Sequence, residues 1–133
     1  MVNVEQLIKK AIENKKNSYS PYSKFRVSAV VVTDTGKVFY GVNIENASYS
    51  PTICAERSAI SAAISSGERK IDTIIITGDS GYTYPCGVCR QVIREFMDKD
   101  GKIIIAKDEN DYKIFSIDDL LPNSFSKEDV ENV

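Results

Sequence analysis

Apolar residues recur at Val4, Leu7, Ile8, Ala11 and Ile12, the three-and-four spacing of one helix face. This spacing predicts an amphipathic first helix that ends before Ser20-Pro21-Tyr22, since proline lacks an N–H and turns its predecessor away from helix. The pattern then changes. Phe25 to Thr33 is β-branched and mostly apolar, as a buried strand would be; Asp34-Thr35-Gly36 is a turn, and Val38 to Val42 is the returning strand of an antiparallel hairpin. Asn43 to Pro51 is polar and irregular. Ala55 to Ser66 is rich in alanine, isoleucine and serine, with Gly67 as a stop, and its small residues suit a helix packed closely on a sheet. Ile71 to Thr77 reads as a strand, Gly78 to Pro85 as a loop and Cys86 to Met97 as a second helix. Ile103 to Ala106 and Tyr112 to Phe115 complete the strands. Strands alternating with helices in the second half imply parallel βαβ crossings, and so an α/β fold with a mixed sheet of about five strands and helices on its faces.

Length and charge narrow the classes. The 133 residues suit one domain, 1–133, with no repeat or linker. Seventeen basic and nineteen acidic side chains leave a net charge of −2 with no basic run, which argues against a nucleic-acid partner. The apolar runs Val27–Val32 and Ile103–Ala106 are too short to span a bilayer, and MVNVEQLIKK lacks a secretory apolar region. Three cysteines cannot complete a disulfide framework, so the thiols are expected reduced, in a cytoplasm.

Those cysteines form a single pattern, Cys54-Ala55-Glu56 followed by Pro85-Cys86-Gly87-Val88-Cys89, in a chain without histidine. Three ligands suit a catalytic zinc with one position left for water, whereas a structural zinc normally closes with four. A redox pair would leave Cys54 and Glu56 without a role, and a four-cysteine structural knuckle lacks its fourth thiol. Pro85 is suited to a helix start, so Cys86 and Cys89 should open one helix while Cys54 precedes another. Helix starts favour thiolate over thiol. Three thiolates on one Zn²⁺ sum to a negative charge that needs nearby donors, and Arg57 or Arg90 can supply them to a sulfur; Arg57 is preferred. Glu56 is the base beside the water. Cys-x-Glu followed by Pro-Cys-x-x-Cys is the pattern of zinc-dependent base deaminases, which hydrolyse an exocyclic amine.

The blocks Cys54-Ala55-Glu56-Arg57, Pro85-Cys86-Gly87-Val88-Cys89-Arg90-Gln91, Tyr19 to Phe25, Gly41 to Tyr49 and Leu120 to Phe125 together resemble the small tetrameric cytidine deaminases over nearly the whole chain. The resemblance implies a three-layer α/β/α sandwich with a central mixed five-stranded sheet, and a homotetramer with active sites at subunit contacts. It implies one zinc ion per chain on Cys54, Cys86 and Cys89, with Glu56 as proton shuttle. It implies substrate-binding roles for Phe25, Asn43, Glu45, Ala55 and Phe125: Asn43 and Glu45 toward the ribose, Phe25 along the pyrimidine, and Phe125 reaching a neighbouring subunit's site. The activity implied is hydrolysis of cytidine and 2′-deoxycytidine to the uridines and ammonia, in pyrimidine salvage. Another cytosine-bearing small molecule, a polynucleotide, or a zinc-bound oligomer without turnover are the alternatives. Val27-Ser28-Ala29-Val30 stands where the family often has Val-Gly-Ala-Ala, and repacking is expected around Ser28 and Val30.

Overall fold

The computed structural model describes residues 3–131. Helix α1 (Val4–Asn14) follows the apolar spacing and buries Leu7, Ile8 and Ala11; Asn3 caps it, its side chain accepting from the Gln6 N–H at 3.0 Å. Strands β1 (Val27–Thr33) and β2 (Val38–Val42) form the expected hairpin, with Gly36 taking the positive φ of its turn. Then come α2 (Ala55–Ser65), β3 (Ile71–Gly78), α3 (Gly87–Phe96), β4 (Met97–Asp108) and β5 (Asp111–Phe115). Two short helices, α4 (Ile117–Leu120) and α5 (Lys127–Glu131), close the described chain.

The strands make one sheet in the order β2-β1-β3-β4-β5. Strand β1 is antiparallel to both β2 and β3, β3 is parallel to β4, and β4 is antiparallel to β5. Strands β2 and β3 therefore run the same way, so α2 crosses over β1 and α3 joins the adjacent β3 and β4. These are the parallel crossings that the alternation implied. Alternation along the strands divides the core in two. Val30, Val32, Ile75, Ile104 and Ala106 pack under α1. Ala29, Val31, Ile74, Ile76, Ile103 and Ile105 pack under α2, α3 and α4. The result is a three-layer α/β/α sandwich. Ser28 and Val30, both fully buried, lie on the α1 side, away from the helices that carry the cysteines. The repacking expected there concerns that layer, where Ser28 Oγ and Thr77 Oγ1, on paired residues, have no hydrogen-bond partner among the described residues.

Some elements differ from what the apolar pattern predicts. Phe25 and Arg26 precede β1, and β4 begins at Met97, six residues before Ile103. Met97 pairs with Ile71 and Lys102 with Thr73, so Asp98–Gly101 is an irregular excursion that hides the strand's start. Helices α4 and α5 carry too few apolar positions for a period to show. Helix α4 has a sequence signal all the same: Ser116 accepts from the Asp119 N–H, and Asp119 accepts from the Ser116 N–H.

One close approach fixes α2. A Cβ on Gly41 would lie 2.3 Å from Ala59 N and 2.6 Å from Ala55 O, both backbone atoms of that helix. Gly41→Ala must therefore lift α2 from β2. We expect a loss of about 3 kcal/mol in chemical denaturation, with slower turnover because Ala55 belongs to the turn between Cys54 and Glu56. A variant as stable and active as the parent would mean that α2 has slack the distances deny.

Candidate metal centre and active site

Two helices begin at the same place. Cys54 is the N-cap of α2 and Cys86 the N-cap of α3, both with extended backbone and neither with its side chain spent on capping. Their sulfurs turn to each other instead, 3.8 Å apart. Cys89, in the first turn of α3, is fully buried, and the three sulfurs lie within 4.8 Å of one another. A tetrahedral zinc with Zn–S bonds of about 2.3 Å needs sulfurs about 3.8 Å apart, so the donor set fits this ion. Two helix starts add unpaired N–H groups and partial positive charge on the same side.

The electrostatics agree. The Cys54 thiol is drawn down to about 5 by a hydrogen bond from Cys89, then by Arg57 and Cys86. Cys89 is pushed up, because its proton serves Cys54 and because it is buried near Glu56. Without a cation the pair can thus share one negative charge but not carry two. A dication is what lets all the sulfurs ionise. Of the two candidate arginines, Arg57 is the one on sulfur: its Nη2 donates to Cys54 Sγ at 3.6 Å. Arg90 does something else, donating to the carbonyl oxygens of Pro85 and Leu120.

Glu56 occupies the second position of α2 and is 4% exposed. Burial pushes its carboxyl up to about 7, with the charge on Cys54 adding; its own N–H, Cys89 and Arg57 pull the other way. A proton acceptor near neutrality beside a three-thiol cluster is suited to moving protons. Ala55, between Cys54 and Glu56, is fully buried.

The remaining expected residues have different surroundings. Asn43 is largely committed to the protein: Oδ1 accepts from Val27 N–H at 3.0 Å and from the Ser18 hydroxyl, and Nδ2 donates to Phe25 O at 2.9 Å. One Nδ2 proton is left over. Glu45 accepts the N–H groups of Tyr22 and Ser23 on Oε1, at 2.9 and 3.1 Å, and Oε2 remains available. Hydrogen bonds from Ser23 lead in holding this carboxyl below its usual range. Glu45 lines an open depression of about 410 Å³ with Tyr22, Ser23, Asn46, Tyr49 and Thr52. Phe25 is half-buried, its ring edge over Gly78. Phe125 is 64% exposed and tethered by its backbone oxygen to Gln91 Nε2 at 2.8 Å. The structure therefore brings Cys54, Cys86, Cys89, Glu56 and Arg57 together, and leaves Phe125 on the surface of the single chain. Sequence reasoning missed the anchors of the loop before Cys86. Tyr82 donates to Asp111, with Lys107 and Lys113 over its ring, and Tyr84 packs edge-on against Phe115. The aromatic residues of that loop were the available signal. Among the described residues, no helix is long and apolar enough to cross a membrane.

Residues 1–107 match the family model described as cytidine and deoxycytidylate deaminase zinc-binding region. The cytidine deaminase of Mycoplasma genitalium is 41% identical over 128 residues, 95% of this chain and 98% of that one. That of Halalkalibacterium halodurans is 40% identical over 129 residues, 96% and 98% of the two chains. Among solved structures, the cytidine deaminase of Burkholderia pseudomallei superposes with a TM-score of 0.87 at 38% identity, covering 93% of this chain and all of the other.

Proposed function

The chain belongs to the cytidine and deoxycytidylate deaminase zinc-binding family, and from that premise we propose that it hydrolyses cytidine to uridine and ammonia with zinc held by Cys54, Cys86 and Cys89. The observation that carries this reading is a buried carboxylate, Glu56, beside three sulfurs spaced for one tetrahedral ion. Bound there, the ion supplies Lewis-acid activation of water. Glu56 does the proton work. It takes one proton of the attacking water and gives it to ring N3 as oxygen adds at C4. It then moves the second proton to the 4-amino group as the C4–N bond breaks. Ammonia leaves and a carbonyl remains at C4. Arg57 offsets the excess negative charge of the thiolates through Cys54.

For the substrate, Glu45 Oε2 accepts a sugar hydroxyl and the free Nδ2 proton of Asn43 donates to the sugar. A contact to the 3′-hydroxyl admits cytidine and 2′-deoxycytidine alike. Phe25 lines the pyrimidine, and Ala55 offers the free N–H of a helix start. We read the assembly as a homotetramer in which Phe125 enters a neighbour's site. Its exposure, and that of Tyr19, Tyr22, Ile44 and Tyr49, supports this. The setting is a single-domain enzyme of pyrimidine salvage in the cytoplasm, where thiol ligands stay reduced. The test is ammonia release from cytidine and from 2′-deoxycytidine by metal-analysed protein, with free cytosine as the comparison lacking a sugar. Release from both nucleosides is expected. Zinc-loaded protein that releases none would overturn the reading.

A further inference from the structure

We propose that Arg90 is a positioning residue that makes the metal centre and the C-terminal segment carrying Phe125 into one mechanical unit. The proposal rests on the reading that Cys54, Cys86 and Cys89 hold zinc. Arg90 follows Cys89 in α3, and its guanidinium spans two carbonyls: Nε donates to Pro85 O at 2.8 Å and Nη1 to Leu120 O at 2.7 Å. The first contact acts on a ligand. The Pro85 carbonyl shares its planar peptide with the Cys86 nitrogen, so fixing that oxygen fixes the plane from which the Cys86 side chain departs. Pro85 is itself buried, and Cys86 holds the extended N-cap backbone that turns its sulfur to Cys54. The second contact acts on the last residue of α4, five residues before Phe125.

Two neighbours on α3 hold the same segment. Gln91 Nε2 donates to Phe125 O at 2.8 Å, and Arg94 Nε donates to Ser124 Oγ at 3.1 Å. Of these three side chains, only Arg90 also touches the residue before a ligand. Its planar fork suits two divergent carbonyls; a lysine ammonium, as a point charge, does not replace that geometry. The helix that presents two of the three sulfurs is thus also the clamp for the segment bearing Phe125. Displacement at one end is felt at the other through a single side chain.

The test uses full-length zinc-loaded protein carrying Arg90→Met, which keeps the aliphatic stem and loses both donors. Three readouts apply: zinc release to a chromogenic chelator, the thiolate-to-metal absorption of the cobalt(II) form, and protease cleavage within 120–131. Arg90→Met is expected to release zinc about tenfold faster, to alter the cobalt spectrum and to be cut sooner. The double variant Gln91→Ala, Arg94→Ala is expected to be cut sooner while releasing zinc at the parental rate. Should Arg90→Met fail to fold, Arg90→Lys carries the test, since one ammonium cannot span both carbonyls and at least one readout must move. Parental zinc release and cobalt spectrum in Arg90→Met, or parental behaviour of Arg90→Lys in every readout, overturns the proposal and leaves the function standing. A parent protein that binds no zinc overturns both.

Discussion

Glu56→Gln is expected to retain zinc and fold while losing about 10⁴-fold in turnover of cytidine, near the upper end of what a positioned acid–base group contributes. This corresponds to about 5 kcal/mol of activation free energy. Glutamine has nearly the same shape, so the packing around a residue 4% exposed is kept. It cannot accept a proton from water, and that is the lost step. Burial is the main cause holding the Glu56 carboxyl up at about 7, and removing a buried charge relieves the same penalty. Stability should therefore not fall, which separates loss of chemistry from loss of structure. The checks are metal analysis, a thermal melt and a steady-state assay on the same preparation. Turnover near the parental rate with zinc bound would show that another group moves the protons.

The chemistry is more legible in the sequence than the architecture around it. Cys54, Glu56, Cys86 and Cys89 stand out because no other cysteine and no histidine compete for the metal. Their convergence follows from local rules: each helix start needs an N-cap, and cysteine at both N-caps leaves two sulfurs uncommitted. The hairpin of β1 and β2 and the helices α1, α2 and α3 are visible in apolar period and turn residues. What sequence does not show is mostly tertiary. Strand β4 is longer than its apolar run because its first part pairs at Met97 and then bulges. Arg90 reads in sequence as the alternative to a preferred Arg57 as donor to sulfur, yet its guanidinium reaches the Pro85 carbonyl at the start of its own helix and the Leu120 carbonyl, which the return of the chain through α4 brings close. Asn43 reads as free for a ligand, but its amide also joins β1 to the loop before it. Gly41 has no signal of its own, since a glycine in a strand does not announce which helix lies on it.

Cys86→Ser is expected to reduce turnover to background and to abolish the effect of zinc on thermal stability. This position isolates the ligand role. Cys86 is exposed, so its replacement opens no cavity, and serine is a favoured N-cap that can serve the start of α3. A serine hydroxyl is a far weaker acid than a thiol and a poor anionic ligand, so the metal loses one of three anionic donors. Two sulfurs, one of them fully buried, would remain to hold an ion built for three. In the parent, a chelator should lower the melting temperature, because a ligand bound only to the folded state stabilises it by mass action. In Cys86→Ser that difference should vanish, while far-ultraviolet circular dichroism still reports α3 and the sheet. A serine variant that keeps a full equivalent of zinc through dialysis against chelator, and deaminates cytidine as the parent does, would mean that the Cys86 sulfur is not a ligand.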